Sequence, residues 1–197
     1  LGQTLNVTAH GKLTRCLVHA GYTFRKKLSH SADSQDQRHR MTPASRPVLQ
    51  AQVDGDPDYV VPGLVEADEA GARTYAEAMQ RSWEGIARLR SLGAPEEYAL
   101  YLLPNATAVR FTESTDLLSL RHKLAMRLCY NAQEEIWRAS LDEVRQVREV
   151  NPAIGAWLQP PCGLRARAGV RPTCPEGRRF CGVRVWTRDL DDYARDI

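Results

Sequence analysis

Leu117, Leu120, Leu124 and Leu128 are followed by Ala132, a spacing of three and four residues that only an α-helix gathers into one apolar face. Such a face has to be buried, so it marks where a core must form. The stripe predicts the longest helix of the chain, over roughly residues 113–149. Glu113 and Asp116 then fall in its first turn, where acids suit the positive end of the helix dipole. Val109-Arg110-Phe111-Thr112 reads as a strand leading into it.

A second helix is predicted over 65–92, from Tyr75, Met79, Trp83, Ile86 and Leu89, with Gly93 as its C-terminal cap. Proline and glycine punctuate the rest. Pro43 and Pro47 make residues 41–47 a loop, and Asp54-Gly55-Asp56-Pro57 is turn chemistry. Pro95 opens a short helix through Leu103, Asn151-Pro152 opens another through Leu158, and Pro160-Pro161 stops it. Residues 4–9 and 12–24 suggest short strands, and 28–40 a helix started by Ser29 or Ser31. The expected class is α+β, long helices packed on a modest mixed or antiparallel sheet. The expected organisation is one domain over 1–158 and an irregular Cys- and Arg-rich extension over 159–197.

Composition excludes several functions. Hydrophobic residues make up 43% of 197, enough for a sizeable core. A net charge of +3 suits a small anionic ligand and is too weak for a nucleic-acid coat. No apolar run approaches the ~18 residues of a membrane span. Leu1-Gly2-Gln3-Thr4 has no basic or apolar signal region and reads like the start of a fragment. Five cysteines, with Cys16 and Cys129 in apolar surroundings, favour a reducing, cytoplasmic setting over a disulfide framework. No glycine-rich phosphate loop and no G-x-S-x-G occurs. Glu134-Glu135 and Asp142-Glu143 read as a solvated helix face.

Chemistry concentrates in Gln35-Asp36-Gln37-Arg38-His39-Arg40. Two guanidiniums flanking an imidazole repel one another, and each Arg offers a planar fork of donors to phosphate oxygens. The cluster is either a solvated basic turn or an anion site. Arg127 lies on the edge of the leucine stripe, with Asn131 a turn further on the same side. It either snorkels from the core edge or serves a ligand.

Together these segments resemble the flavin-dependent thymidylate synthases, also called the thymidylate-synthase-complementing family. Gln35-x-x-Arg38-His39-Arg40 matches the start of the family's signature, and Gly21-Tyr22-Thr23-Phe24 is similar to the strand before it. Tyr59-Val60-Val61-Pro62 is similar to the family's Y-x-x-P, and the run from Gly93 to Pro104 to its G-x-x-x-E-x-A-R-x-x-L-P segment. The helix from Leu120-Arg121 through Ala132-Gln133-Glu134-Glu135-Ile136 is similar to its L-R…A-Q-x-E-I helix. The resemblance implies reductive methylation of dUMP to dTMP, with FAD as cofactor, NADPH as reductant and methylenetetrahydrofolate as carbon donor, in a homotetramer. It implies that Arg38, His39, Arg40, His122 and Asn131 contact FAD. It places Gln35 and Arg127 on dUMP, with Arg127 stabilising charge as uracil C5 becomes nucleophilic.

The chain also departs from the pattern. The family's continuation N-E-x-S-x-R-Y is Met41-Thr42-Pro43-Ala44-Ser45-Arg46-Pro47 here, so only Ser45 and Arg46 can stand in for the dUMP phosphate contacts. Leu100 replaces the Arg of A-R-x-x-L-P, and Asp116-Leu117-Leu118 replaces an N-A-R. The alternative reading is therefore a non-catalytic family-like module, half of a duplicated chain, that binds flavin or nucleotide and serves assembly.

Cys162, Cys174 and Cys181 form a separate signal, beside Pro and Gly in knuckle-like turns. A structural zinc needs four ligands in tetrahedral array. The three cysteines then require a fourth, from His19, His30 or Cys16. Three reduced thiols or one disulfide fit the same residues. A zinc-stabilised domain binding RNA or protein is a third functional class.

Overall fold

The structure is a computed structural model that describes residues 11–189 together with Asp192 and Arg195. The strand expected at 4–9 lies outside the described residues. The fold is α+β, as expected.

Residues Thr14–His19 form a 3-10 turn where a strand was expected, with only Thr14 buried. Strand β1 follows at Gly21–Ser29, where buried and exposed side chains alternate. Helix α1, His30–Asp36, starts where Ser29 Oγ accepts the Ala32 N–H at 3.0 Å. The loop expected at 41–47 holds a two-residue strand, β2, Ala44–Ser45, kept short by the prolines around it. Two helices occupy the predicted 65–92 segment: α2, Gly63–Glu66, and α3, Glu69–Ser91. They part at Asp68, whose Oδ2 accepts the Gly71 N–H at 2.7 Å and starts α3 afresh. Gly93, at φ 77°, ends α3 as expected. Helix α4, Glu96–Ala99, runs on into a 3-10 turn at Leu100–Leu102.

The largest departure concerns the leucine stripe. Strand β3 runs over Ala108–Asp116, so Glu113 belongs to a strand and not to a helix. Two helices then stand where one was expected: α5, Leu117–Arg127, and α6, Glu134–Val150. Asp116 Oδ1 caps α5 by accepting the Ser119 N–H at 2.8 Å, and Gln133 Oε1 caps α6 by accepting the Ile136 N–H at 3.1 Å. Leu128 and Tyr130 stay buried through the turn, so the apolar stripe continues where the helix does not. Among the described residues the longest helix is α3, at 23 residues. Helix α7 is Pro152–Gly155, and Pro161, rather than stopping a helix, opens α8, Pro161–Arg167.

The sheet has the order β1-β3-β2. Bonds from Leu117 N to Ala20 O and from His30 N to Thr107 O set β1 antiparallel to β3. The chain divides into two compact units, and the divisions fall inside β1 after Phe24 and inside β3 after Thr112. One unit is Leu1–Phe24, His39–Pro43 and Glu113–Ile197; the other is Arg25–Arg38 and Ala44–Thr112.

In the first unit Leu117, Leu120, Leu124 and Leu128 pack with Trp137, Leu141 and Val144 of α6. Lys123 is fully buried there and bridges Glu113 and, at 3.1 Å, Glu143. Glu143 is thus not on a solvated face: it shares the inner side of α6 with Ile136, Ser140 and Val147. In the second unit Val53, Ile86 and Ala99 form a smaller apolar cluster, with Leu89, Leu100 and Leu103 against it. Among the described residues no helix is long and apolar enough to cross a membrane.

Candidate functional site

Helix α1 ends at Asp36, so the basic motif is presented by the turn that follows rather than by a helix face. The Thr42 N–H and Oγ1 both donate to the His39 carbonyl, at 3.0 and 2.8 Å, and Thr42 is buried. This clamp fixes the direction of His39. Its ring meets the ring of His122 on α5 edge-on, with centroids 6.0 Å apart and planes at 72°. Two residues 83 apart in sequence, both singled out from the sequence, are brought together. Arg40 is exposed, and its guanidinium makes no hydrogen bond or ion pair among the described residues. The same holds for Arg38, which with half-buried Gln35 belongs to the other unit. Arg127 is the last residue of α5 and is half-buried. Asn131 lies past the end of α5, not a helical turn along it. It is exposed, and its Nδ2 donates to the Arg179 carbonyl at 2.7 Å.

Ser45 and Arg46 line an open cleft of about 540 Å³ in the second unit. Its other walls are Arg25, Lys26 and Lys27 of β1 and Arg110, Phe111 and Thr112 of β3. Arg46 Nε donates to Asp33 Oδ1 at 2.7 Å, and its guanidinium lies 4.5 Å from the Phe111 ring centre. Its Nη2 is buried and has no hydrogen-bond partner among the described residues. Lys26 pairs with Asp36 at 2.6 Å. The strand register sets Lys27 beside Arg110, a like-charge pair that would repel. Asp58 bridges them, binding Arg110 and, at 2.9 Å, Lys27. Burial would raise the Asp58 carboxyl, but the hydrogen bonds from Arg110 and Lys27 outweigh it and hold the group below its ordinary range. Five cations thus meet three carboxylates, and the cleft keeps an excess of positive charge. Ser45 and Arg46 are legible in the motif. The other cations are missed, because the basic run Arg25-Lys26-Lys27 lies just past the strand expected at 12–24, and its place opposite Arg110 is set by the register of β1 on β3.

Two departures from the family pattern have structural work. Leu100 packs on the Val53–Ile86–Ala99 cluster, and Asp116 caps α5. In the first unit, Cys162, Cys174 and Cys181 line one small cavity, and a fourth cysteine, Cys129, lines it with them. Cys16 is exposed, and neither it nor His19 nor His30 belongs to that lining.

The motif turn and the cationic cleft are thus two basic features of the described residues. The comparisons supply the family. A family model described as thymidylate synthase complementing protein matches residues 3–153. The chain is similar to the flavin-dependent thymidylate synthase of Geobacter sulfurreducens, 32% identical over 170 residues, 84% of this chain and 70% of that one. The Sulfurisphaera tokodaii protein of that name is 30% identical over 148 residues, 74% of this chain and 57% of the relative. The Thermococcus kodakarensis one is 29% identical over 170 residues, 82% of this chain and 67% of the relative. The chain belongs to the thymidylate synthase complementing protein family.

Proposed function

We propose that this chain is a flavin-dependent thymidylate synthase that methylates dUMP to dTMP, with FAD as cofactor, NADPH as reductant and methylenetetrahydrofolate as carbon donor. The observation that carries the reading is the motif turn, where Arg38 and Arg40 make no hydrogen bond or ion pair among the described residues and His39 meets His122. Unpaired guanidiniums suit the phosphates of a dinucleotide, and edge-on imidazoles suit a flat ring system. These residues therefore fit a flavin, which when bound supplies the hydride. Arg38 and Arg40 hold its phosphates, and His39 and His122 orient its ring. Asn131 stands near that ring. Gln35 and Arg127 hold the uracil nucleotide, and Arg127 stabilises negative charge on the uracil carbonyl. Arg46, with its buried unpartnered Nη2, and Ser45 take the substrate phosphate. The working protein is a homotetramer in the cytoplasm.

A second reading has its own support. Leu100 and Asp116 are committed to packing and capping, at positions where the family carries ligand-facing polar groups. In that reading the chain binds flavin or nucleotide and serves assembly without turnover.

The visible spectrum of the purified protein, followed by dTMP formation under NADPH and methylenetetrahydrofolate, tests both. Arg38→Ala and Arg40→Ala are expected to lower flavin affinity by ~10- to 150-fold each, the equivalent of one charge-assisted bond of about 1.5–3 kcal/mol. Full flavin content in both variants refutes the site. Bound flavin with no dTMP formed favours the assembly module.

A further inference from the structure

Residues 168–184 leave α8 and wander back with no strand and one 3-10 turn. Thr173 is the only buried residue among them, and Ala168, Val170 and Val183 are the only half-buried ones apart from two cysteines. Three of its glycines, Gly169, Gly177 and Gly182, hold positive φ angles of 66°, 55° and 83°. Such a segment gives up much chain entropy for little apolar burial. Cys181 and Val183 pack against the core, and Asn131 Nδ2 and Arg165 Nε donate to the Arg179 and Pro172 carbonyls.

The half-buried anchors are Cys174 and Cys181. They meet Cys162, in the first turn of α8, and Cys129, in the turn after α5, around a single cavity of about 10 Å³. That is the space of roughly one water molecule. Its other walls include Tyr130, Pro160, Pro161, Phe180 and Val185. Thiols offer a water molecule only weak partners, whereas four cysteines lining such a void supply the donor types of a soft tetrahedral ion. We propose that Cys129, Cys162, Cys174 and Cys181 bind one zinc ion as a structural tetrathiolate site that staples the C-terminal segment to the α5–α6 turn. The ligand that the C-terminal cysteines lack is supplied by Cys129, 33 residues before Cys162.

The local chemistry agrees. Backbone N–H groups of Asn131 and Gly163 face the sulfurs of Cys129 and Cys162. Binding replaces four S–H bonds with four Zn–S bonds and releases four protons, with no change of oxidation state. Among the described residues no three His, Cys, Asp or Glu side chains are yet placed to hold a metal ion. The proposal requires that coordination draw the sulfurs inward, to about 3.8 Å from one another for Zn–S bonds of about 2.3 Å.

The test uses the full chain, refolded or expressed with zinc and analysed for all first-row metals. Wild type and Cys16→Ser are expected to hold about one zinc per chain. Cobalt replacement is expected to show thiolate-to-metal charge transfer and the intense visible bands of a tetrahedral tetrathiolate, read as a difference spectrum so that flavin does not interfere. Cys129→Ser and, separately, Cys174→Ser are expected to lose metal affinity by on the order of 100-fold or more against a competing chelator. Wild type with less than about 0.2 zinc per chain overturns the site. Iron in its place overturns the choice of ion. Zinc retained by Cys129→Ser at wild-type affinity, or two of the four thiols found as a native disulfide, also refutes it. If one variant fails to fold, the other variant and the wild-type cobalt spectrum still decide the ligand set.

Discussion

Replacing Lys123 with Met tests what holds the first unit together. Lys123 is 0% exposed and is flanked by Glu113 at 0% and Glu143 at 3% side-chain exposure. Methionine has similar length and volume, so Lys123→Met removes the charge while leaving only a small packing error. What remains is two buried carboxylates that have lost the Lys123 ammonium. Removing one partner of a buried ion pair costs about 3–5 kcal/mol. For a chain of this size that lowers the melting temperature by roughly 6–20 °C. Differential scanning calorimetry of ligand-free protein at fixed concentration measures it, because ligand and subunit binding would both move the midpoint. The triple variant Lys123→Met/Glu113→Gln/Glu143→Gln is expected to recover much of the loss, since it strands no charge. A single variant that melts within roughly 2 °C of wild type would show that the carboxylates reach water or another cation, and the buried-triad argument would fail.

Three other outcomes are expected. Arg46→Ala should weaken binding of a phosphate-bearing nucleotide by ~10- to 150-fold with flavin content unchanged, read by isothermal calorimetry; loss of flavin instead would move Arg46 out of the substrate cleft. Asp116→Ala should cost about 0.5–2 kcal/mol of stability through the lost α5 cap, measured by denaturant midpoint, whereas Asp116→Asn should cost less than half of that. Asp58→Asn bears on both charge and pH. The Asp58 carboxyl is held low in the folded protein, so its contribution is fully present above the unfolded value near 3.9 and is lost as pH falls through the lower folded value. The stability gap between wild type and Asp58→Asn should therefore be present at neutral pH and close below about pH 4, while phosphate binding in the cleft tightens and gains salt dependence.

Much of the architecture is written locally. The leucine spacing, the Ser29 cap, the Gly93 stop and the prolines each act over one turn of chain, so the α+β class and most elements are legible without a fold. The motif residues are legible for a different reason, since they resemble a family in which those residue types recur in that order. The breaks were less readable. Asp116 and Gln133 start helices inside one continuous apolar pattern, because a buried turn and a buried helix look alike in hydrophobicity.

The sequence by itself determined the α+β class, the apolar stripe from Leu117 to Leu128, and the basic motif around His39. Only the tertiary structure decided that Glu143 is buried against Lys123, that Lys27 and Arg110 share Asp58, and that Cys129 joins three cysteines far along the chain. Helical periodicity is a short-range property that any window of residues displays. Pairing between side chains tens of residues apart depends on strand register and helix packing, and these exist only once the chain has closed on itself.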